Sequence, residues 1–388
     1  MLLLILLAAC LHDSPAPPAG AERVDSASMS AHVVGPVTML TSSDQFLKAG
    51  DAHISPDGKR VIFQAIETPD EGEPESDIYG MYLGDLVQDD AGRWAIERVQ
   101  RLSPEGSANA CGWFHPTDSR RVIFASTIEP PFSGDTPGSQ QGTDRYRSAF
   151  PPEMRIVEAR IDGAVPPSLR LLEGDEDAYQ AECSISPDGR HLLYASRESG
   201  DGDIFVRDLE TGERHQLLST VGYDGDPLFS PDGRRICYRS DRNEDDRPQV
   251  FVSELVFNDA GTITGIKREV QLTNNNHVNG APVWHSDGRH LVYTANDPDH
   301  RNREIFIIDA DAGDPETGRP ARYGTRHARL EASAPLGGPP ALDAGSERMV
   351  WSSQGADGSS QLCIAPFPSD PDSLLVSSGD HDSSSAAE

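Results

Sequence analysis

Residues 184–196 read SISPDGRHLLYAS, and residues 228–240 read LFSPDGRRICYRS. In both, Pro sets φ for the second position of a type I turn, Asp bonds its own backbone, and Gly accepts the left-handed conformation that closes a hairpin. A short apolar run follows each turn: His191-Leu192-Leu193-Tyr194-Ala195 in one copy and Arg235-Ile236-Cys237-Tyr238 in the other. Runs of this kind, bounded by turn signals, are strands covered on both faces, so neighbouring sheets must exist.

Further copies supply those sheets. HISPDGKRVIF lies at 53–63 and VWHSDGRHLVY at 283–293. WFHPTDSRRVIF at 113–124 fits with one inserted residue, and ALDAGSERMVW at 341–351 fits in outline. Each of the six copies is followed by a second apolar run, such as Ile204-Phe205-Val206 or Ile305-Phe306-Ile307, and most by a third, such as His215-Gln216-Leu217-Leu218-Ser219. About four short strands per repeat at a spacing of 44 residues (231 − 187, Pro231 and Pro187) predict a β-propeller. Two columns agree with this. Gly50, Ala110, Ala181, Gly225, Gly280 and Gly338 are all small, as innermost strands crowded about an axis require. Ile54, Phe114, Ile185, Phe229, Trp284 and Leu342 are all large and apolar, as filling between blades requires.

The stretch YDGDPLFSPDG at 223–233, followed by a strand, an Arg-containing loop and a second strand, resembles the repeat of TolB-like propellers. The likeness covers roughly residues 49–367 and implies an all-β, six-bladed β-propeller of four-stranded antiparallel blades that binds other envelope proteins. Val37-Thr38-Met39-Leu40-Thr41 looks like a last strand without a blade of its own and is expected to complete the sixth blade and close the ring. Ser373-Leu374-Leu375-Val376-Ser377 is the alternative.

The N-terminus, MLLLILLAAC, resembles a bacterial lipobox, with Cys10 as the lipid attachment site, although no Lys or Arg precedes the apolar run. The expected organisation is a signal peptide over 1–10, a flexible Ser/Pro/Ala tether over 11–35, the propeller over 36–368 and a disordered tail over 369–388. The setting implied is the cell envelope, anchored to a membrane and facing the periplasm. With 63 acidic and 33 basic residues the net charge is −30, which repels phosphate backbones and argues against nucleic-acid binding. The chain is read as a monomer.

No GxSxG nucleophile elbow is present, and the chain is read as non-catalytic, a rigid ring that binds a protein or peptide of the envelope. The loop from Glu129 to Val157 is the expected partner-binding segment, with Tyr146, Arg147 and Phe150 as its anchors. Asp51, Glu182 and Asp226 fall in one column of the innermost strands, with Cys111 and Ala281 in the same column. Converging carboxylates there can hold a hard cation such as Ca²⁺, or bond neighbouring backbone amides. No other cofactor is expected. The alternative function is a metal-dependent propeller lyase or hydrolase acting on polysaccharide at the channel. His53, His115, His277 and His285 lie near inner strands at different columns and form no evident imidazole cluster. Cys111, Cys183, Cys237 and Cys363 lack metal-site spacing and are read as buried thiols, with a Cys111–Cys183 disulfide as the lesser option.

Overall fold

The computed structural model describes residues 31–33, 35–132, 138–139, 148–149, 151–163, 166–173, 178–275, 277–296, 303–313, 327–331, 338–355, 358–368 and 370–375. Blade 1 consists of strands Phe46–Ile54, Arg60–Glu67, Gly80–Gln88 and Trp94–Arg101. Blade 2 runs through Asn109–His115, Asp118–Ser126, Arg155–Arg160 and Leu169–Glu173. Blade 3 holds Gln180–Ile185, His191–Ser196, Asp203–Asp208 and Arg214–Gln216, and blade 4 holds Asp224–Phe229, Arg235–Ser240, Gln249–Phe257 and Ile263–Gln271. In blade 5, strands Asn279–Trp284, His290–Asn296, Arg303–Asp309 and His327–Glu331 gain an outer parallel strand, Ala31–Val33. Blade 6 contributes Ala341–Leu342, Arg348–Gln354 and Ser360–Pro366.

The innermost strands touch one another in blade order, and that of blade 6 touches that of blade 1, so the ring is closed. The N-terminal strand Thr38–Met39 pairs antiparallel with the third strand of blade 6, Thr38 opposite Ile364 and Met39 opposite Cys363. Both chain ends therefore share one blade, as the sequence predicts. Of the alternative segment the described residues, 373–375, form no strand: Pro371–Leu374 is one 3-10 turn, and Leu374 is buried against blades 5 and 6. Packing thus continues past residue 368, the expected end of the propeller.

Each interface between consecutive blades holds its own apolar cluster. The large apolar column supplies a wedge to these clusters: Phe229 packs on Leu193 and Val206 of blade 3, and Trp284 packs on Val250 and Val252 of blade 4. Trp284 also donates its indole N–H to the Leu228 carbonyl at 3.2 Å, which satisfies the one polar atom of a ring carried between sheets. Within blades the second and third strands stack aromatic pairs across the ladder: Tyr194 on Phe205, Tyr238 on Phe251 and Tyr293 on Phe306. Such cross-strand pairs hold the register.

The SPDG turns behave as their chemistry requires. Ser55, Ser186 and Ser230 each donate a hydroxyl to the turn Asp two residues on, and the same hydroxyls accept the N–H of Arg60, His191 and Arg235. Gly58, Gly189, Gly233 and Gly288 all take positive φ.

Closure depends on Thr41. Its hydroxyl donates to Gln361 Oε1 at 2.7 Å and accepts the Leu362 N–H at 2.9 Å, while Gln361 Nε2 donates to the Phe46 carbonyl of blade 1. Thr41→Val keeps the shape and leaves a buried N–H and a buried amide oxygen without a partner. The expected loss is about 1–3 kcal/mol of unfolding free energy, read from urea denaturation; an unchanged midpoint would contradict this account of closure.

Candidate functional site: the acidic girdle of the channel

The first hairpin of five blades carries a register shift: Gly50/His53, Ala110/Trp113, Ala181/Ser184, Gly225/Leu228 and Gly280/Val283. The residue in each bulge adopts a left-handed backbone. These are Asp51 (φ 47°), Cys111 (56°), Glu182 (52°), Asp226 (51°) and Ala281 (48°), the one column in which the sequence puts the candidate carboxylates. The bulge turns the strand and leaves a backbone N–H without a ladder partner.

That N–H is taken by the preceding blade. Asp51 Oδ2 accepts from the Cys111 N–H at 3.1 Å, Glu182 Oε2 from the Asp226 N–H at 2.7 Å, and Asp226 Oδ2 from the Ala281 N–H at 3.0 Å. Between blades 2 and 3 Cys111 has no carboxylate to offer; there the Cys183 thiol leans on the Cys111 carbonyl at 3.8 Å. Both cysteines are free thiols, as are Cys237 and Cys363. At Gly225 the small column has a cause: a Cβ there would run into the Glu182 carboxylate and the Tyr223 ring, whereas one on Gly280 would meet Arg239 at ordinary contact distance.

Arg239, from the second strand of blade 4, lies between two of the acids, with Nη2 2.8 Å from Glu182 Oε1 and Nη1 3.2 Å from Asp226 Oδ2. Its guanidinium also faces the Tyr223 ring. Glu182 and Arg239 are nearly buried, with side chains 7% and 8% exposed, whereas Asp226 and Asp51 reach solvent at 24% and 21%. His53 stands beside Asp51, its Nε2 3.8 Å from Oδ1 and its ring edge-on to Trp113.

Burial shifts these groups. Asp51 is pushed up to about 6 by loss of water and then by the Asp226 charge, against which its bonds to Cys111 act weakly. Glu182 rises to about 7 because burial outweighs the Arg239 charge, with Asp226 adding to the rise. Burial lowers His53 to about 3, so its imidazole is neutral at pH 7 and adds no positive charge. Among the described residues three carboxyls and one guanidinium thus share the channel level, and above pH 7 their surplus is negative.

Asp51, Glu182 and Asp226 occupy the same bulge position in their blades, with Arg239 and His53 beside them. Arg239 escapes sequence reading because it sits in a strand among residues that look like core. His115 ends the innermost strand of blade 2 and His285 follows that of blade 5, both away from this column. Cys10, Tyr146, Arg147 and Phe150 lie outside the described residues.

A raised carboxyl pKa makes the folded state the better proton binder, so its contribution to stability is fullest below the unfolded value near 4.5 and is lost as pH rises through about 7. Glu182→Gln keeps an acceptor for the Asp226 N–H and removes the proton. The fall in urea midpoint between pH 5 and pH 7.5 is expected to be smaller in the variant than in the parent; equal falls would mean that Glu182 does not titrate in this range.

Residues 176–270 match the family model described as the TolB beta propeller domain. Dipeptidyl-peptidase 5 of Porphyromonas gingivalis is 30% identical over 161 residues, covering 36% of this chain and 22% of that protein. Dipeptidyl-peptidase 5 of Porphyromonas endodontalis is 30% identical over 229 residues, covering 50% of this chain and 30% of its own length. This chain therefore spans less than a third of those relatives. The Tol-Pal system protein TolB of Francisella tularensis is 28% identical over 72 residues, 19% of this chain and 17% of that one. The crystal structure of TolB from Acinetobacter baumannii superposes with a TM-score of 0.50 at 15% identity, over 80% of this chain and 64% of that one. The expectation of a non-catalytic protein is corrected by these matches, because relatives named for a dipeptidyl-peptidase carry the matching segment. Repeat and ring closure make the chain a β-propeller, and over residues 176–270 it is similar to the TolB beta propeller domain.

Proposed function

We propose that the ring receives a polypeptide at its channel face, with the acidic girdle taking a cationic group of that polypeptide, a free N-terminus or a Lys or Arg side chain. The observation that carries this reading is the charge surplus: Asp51 and Asp226 each keep solvent contact while one guanidinium, Arg239, is the counter-charge bonded to the girdle. Field lines focused into a low-dielectric channel attract a cation more strongly than the same charges on an open surface. The relatives named as dipeptidyl-peptidase 5 support peptide processing as the setting, in which this propeller admits and orients the peptide. The TolB relatives support an envelope location, and lipid attachment at Cys10 supplies the membrane anchor in this reading. The loop bearing Tyr146, Arg147 and Phe150 adds contacts to the same polypeptide.

A second reading has its own observation. Carboxyls held near 6 and 7, as on Asp51 and Glu182, exchange protons close to neutrality, which favours acid–base chemistry on a polysaccharide, assisted by a Ca²⁺-type cation on the same acids.

Binding of fluorescent peptides that differ only in a free or acetylated N-terminus separates these readings. The free amine is expected to bind more tightly at pH 8 and low salt, and the joint substitution Asp51→Asn with Asp226→Asn is expected to weaken it about tenfold while leaving the acetylated peptide unchanged. Equal affinity for both peptides, or release of sugar fragments from a polyuronate by the parent and not by the variant, would sink the peptide reading. Cys10→Ala is expected to move the protein from the membrane fraction to the soluble fraction of envelope extracts.

A further inference from the structure

The blade 5 turn combines two histidines that its siblings carry singly, His115 in blade 2 and His191 in blade 3, or not at all. Where blades 1, 3 and 4 place Ser55, Ser186 and Ser230, blade 5 has His285, and where blades 1 and 4 place Arg60 and Arg235 it has His290. The turn Asp is kept as Asp287. Its Oδ1 does the structural work seen elsewhere, accepting the N–H of Arg289 at 2.8 Å and of His290 at 3.0 Å. Its Oδ2 faces two imidazole nitrogens instead, His285 Nδ1 at 3.1 Å and His290 Nδ1 at 2.6 Å.

These three donors lie within 4.8 Å of one another. A tetrahedral ion with bonds of about 2.0–2.1 Å sets its donors about 3.3 Å apart; the His285 contact at 3.1 Å is already near that spacing, while the His290 contact at 2.6 Å must open by about 0.7 Å to admit one. The surroundings are arranged for it. The Asp287 N–H points at His285 Nδ1 from 3.2 Å, which marks that nitrogen as an acceptor, and an acceptor 3.1 Å from a carboxylate oxygen is a repulsive contact that a cation between them would relieve. Both rings are buried, His285 at 5% and His290 at 1% exposure, and the Nε2 of each is a buried atom without a hydrogen-bond partner. A metal on Nδ1 requires the proton on Nε2. The His290 Nε2 then turns its proton toward Asp372 Oδ1, 3.4 Å away, and Asp372 is itself held by Arg289 Nη1 at 3.1 Å. A carboxylate behind a ligating imidazole fixes its tautomer and raises its basicity.

We propose that His285, Asp287 and His290 bind a divalent transition metal of the Zn²⁺ class, with Asp372 orienting His290. Two imidazoles and one carboxylate suit Zn²⁺, Co²⁺ or Ni²⁺ over Ca²⁺ or Mg²⁺. The site lies where blade 5 meets blade 6, since Ser286 bonds Ser346 Oγ and the Gly345 carbonyl. It also meets the turn Pro371–Leu374, which follows the last strand of the ring. An ion there ties the end of the chain to a blade it does not belong to. This site shares no residue with the channel girdle.

The full chain, freed of metal with a chelator, is titrated with Co²⁺ and then with Zn²⁺. One Co²⁺ per chain with visible tetrahedral absorption, displaced by Zn²⁺, and a rise of several degrees in melting temperature are expected. His285→Ser and His290→Arg each restore the residue of a sibling turn, so both variants fold; each is expected to weaken binding at least a hundredfold, and Asp372→Asn about tenfold. Asp51→Asn with Asp226→Asn is expected to bind as the parent does. Absence of Co²⁺ absorption, unchanged affinity in His285→Ser, or loss of binding in the girdle variant in place of the turn variants would each overturn the proposal.

Discussion

The ring depends on one repeated hydrogen bond, from the bulge N–H of one blade to the bulge carboxylate of the blade before it. A left-handed backbone costs a residue with a Cβ about 1–2 kcal/mol, and five innermost strands accept it at Asp51, Cys111, Glu182, Asp226 and Ala281. A charge-assisted bond to a buried amide contributes about 1.5–3 kcal/mol, enough to offset the strain where the carboxylate is present. The bulge in turn bends each inner strand at the level where the blades crowd the axis. One position before Asp226, the missing Cβ of Gly225 leaves room for the incoming Glu182 carboxylate. Strain, missing Cβ and carboxylate are there one device seen from three positions in the repeat.

Much of this is legible in sequence because a propeller writes each rule several times. The turn chemistry of SPDG, the large wedge residues and the acid column all recur at fixed offsets, so one copy interprets another. What recurs without a sequence signature is lost. No letter announces that Cys111, Glu182 or Ala281 sits at positive φ, since Gly, Asn or Asp would be the usual sign. Arg239 reads as an ordinary strand residue, and its pairing with Glu182 and Asp226 needs the twist of two blades to be known. The blade 5 histidines are legible one by one; that both Nδ1 atoms converge on Asp287 is a matter of rotamers.

A chain with a net charge of −30 must hold together against its own field. Its pairs of arginine with acids of the blades show how. Arg190 and Arg289, at equivalent turn positions in blades 3 and 5, reach the fully buried Asp208 and Asp309 of the third strands at 2.6 and 2.8 Å. Arg207 takes Glu173 across the interface between blades 3 and 2, and Arg242 takes Glu269 within blade 4. Basic residues are drawn to places where an acid is already out of water, where a pair is screened least and leaving it single is costly. The channel is different, because three carboxyls there share Arg239, and the same economy of cations that stabilises the blades leaves the girdle acidic.

Closure is the point at which a repeat array must depart from its own rule, and blade 6 departs most. Its innermost strand is two residues long, its fourth strand comes from the opposite end of the chain, and its turn replaces Ser with Asp343, which binds Arg348 at 2.7 Å. What backbone pairing does not supply there, side chains do: Trp351 is fully buried between blades 5 and 6, and Gln361 spans from the N-terminal strand to blade 1. Arg348 reaches further, to the Gly58 carbonyl in the blade 1 turn. The blade assembled from two distant segments is therefore held by long polar side chains where its siblings use ladders, and the turn after the last strand, lying over blade 5 through Asp372, extends the same logic one step outward.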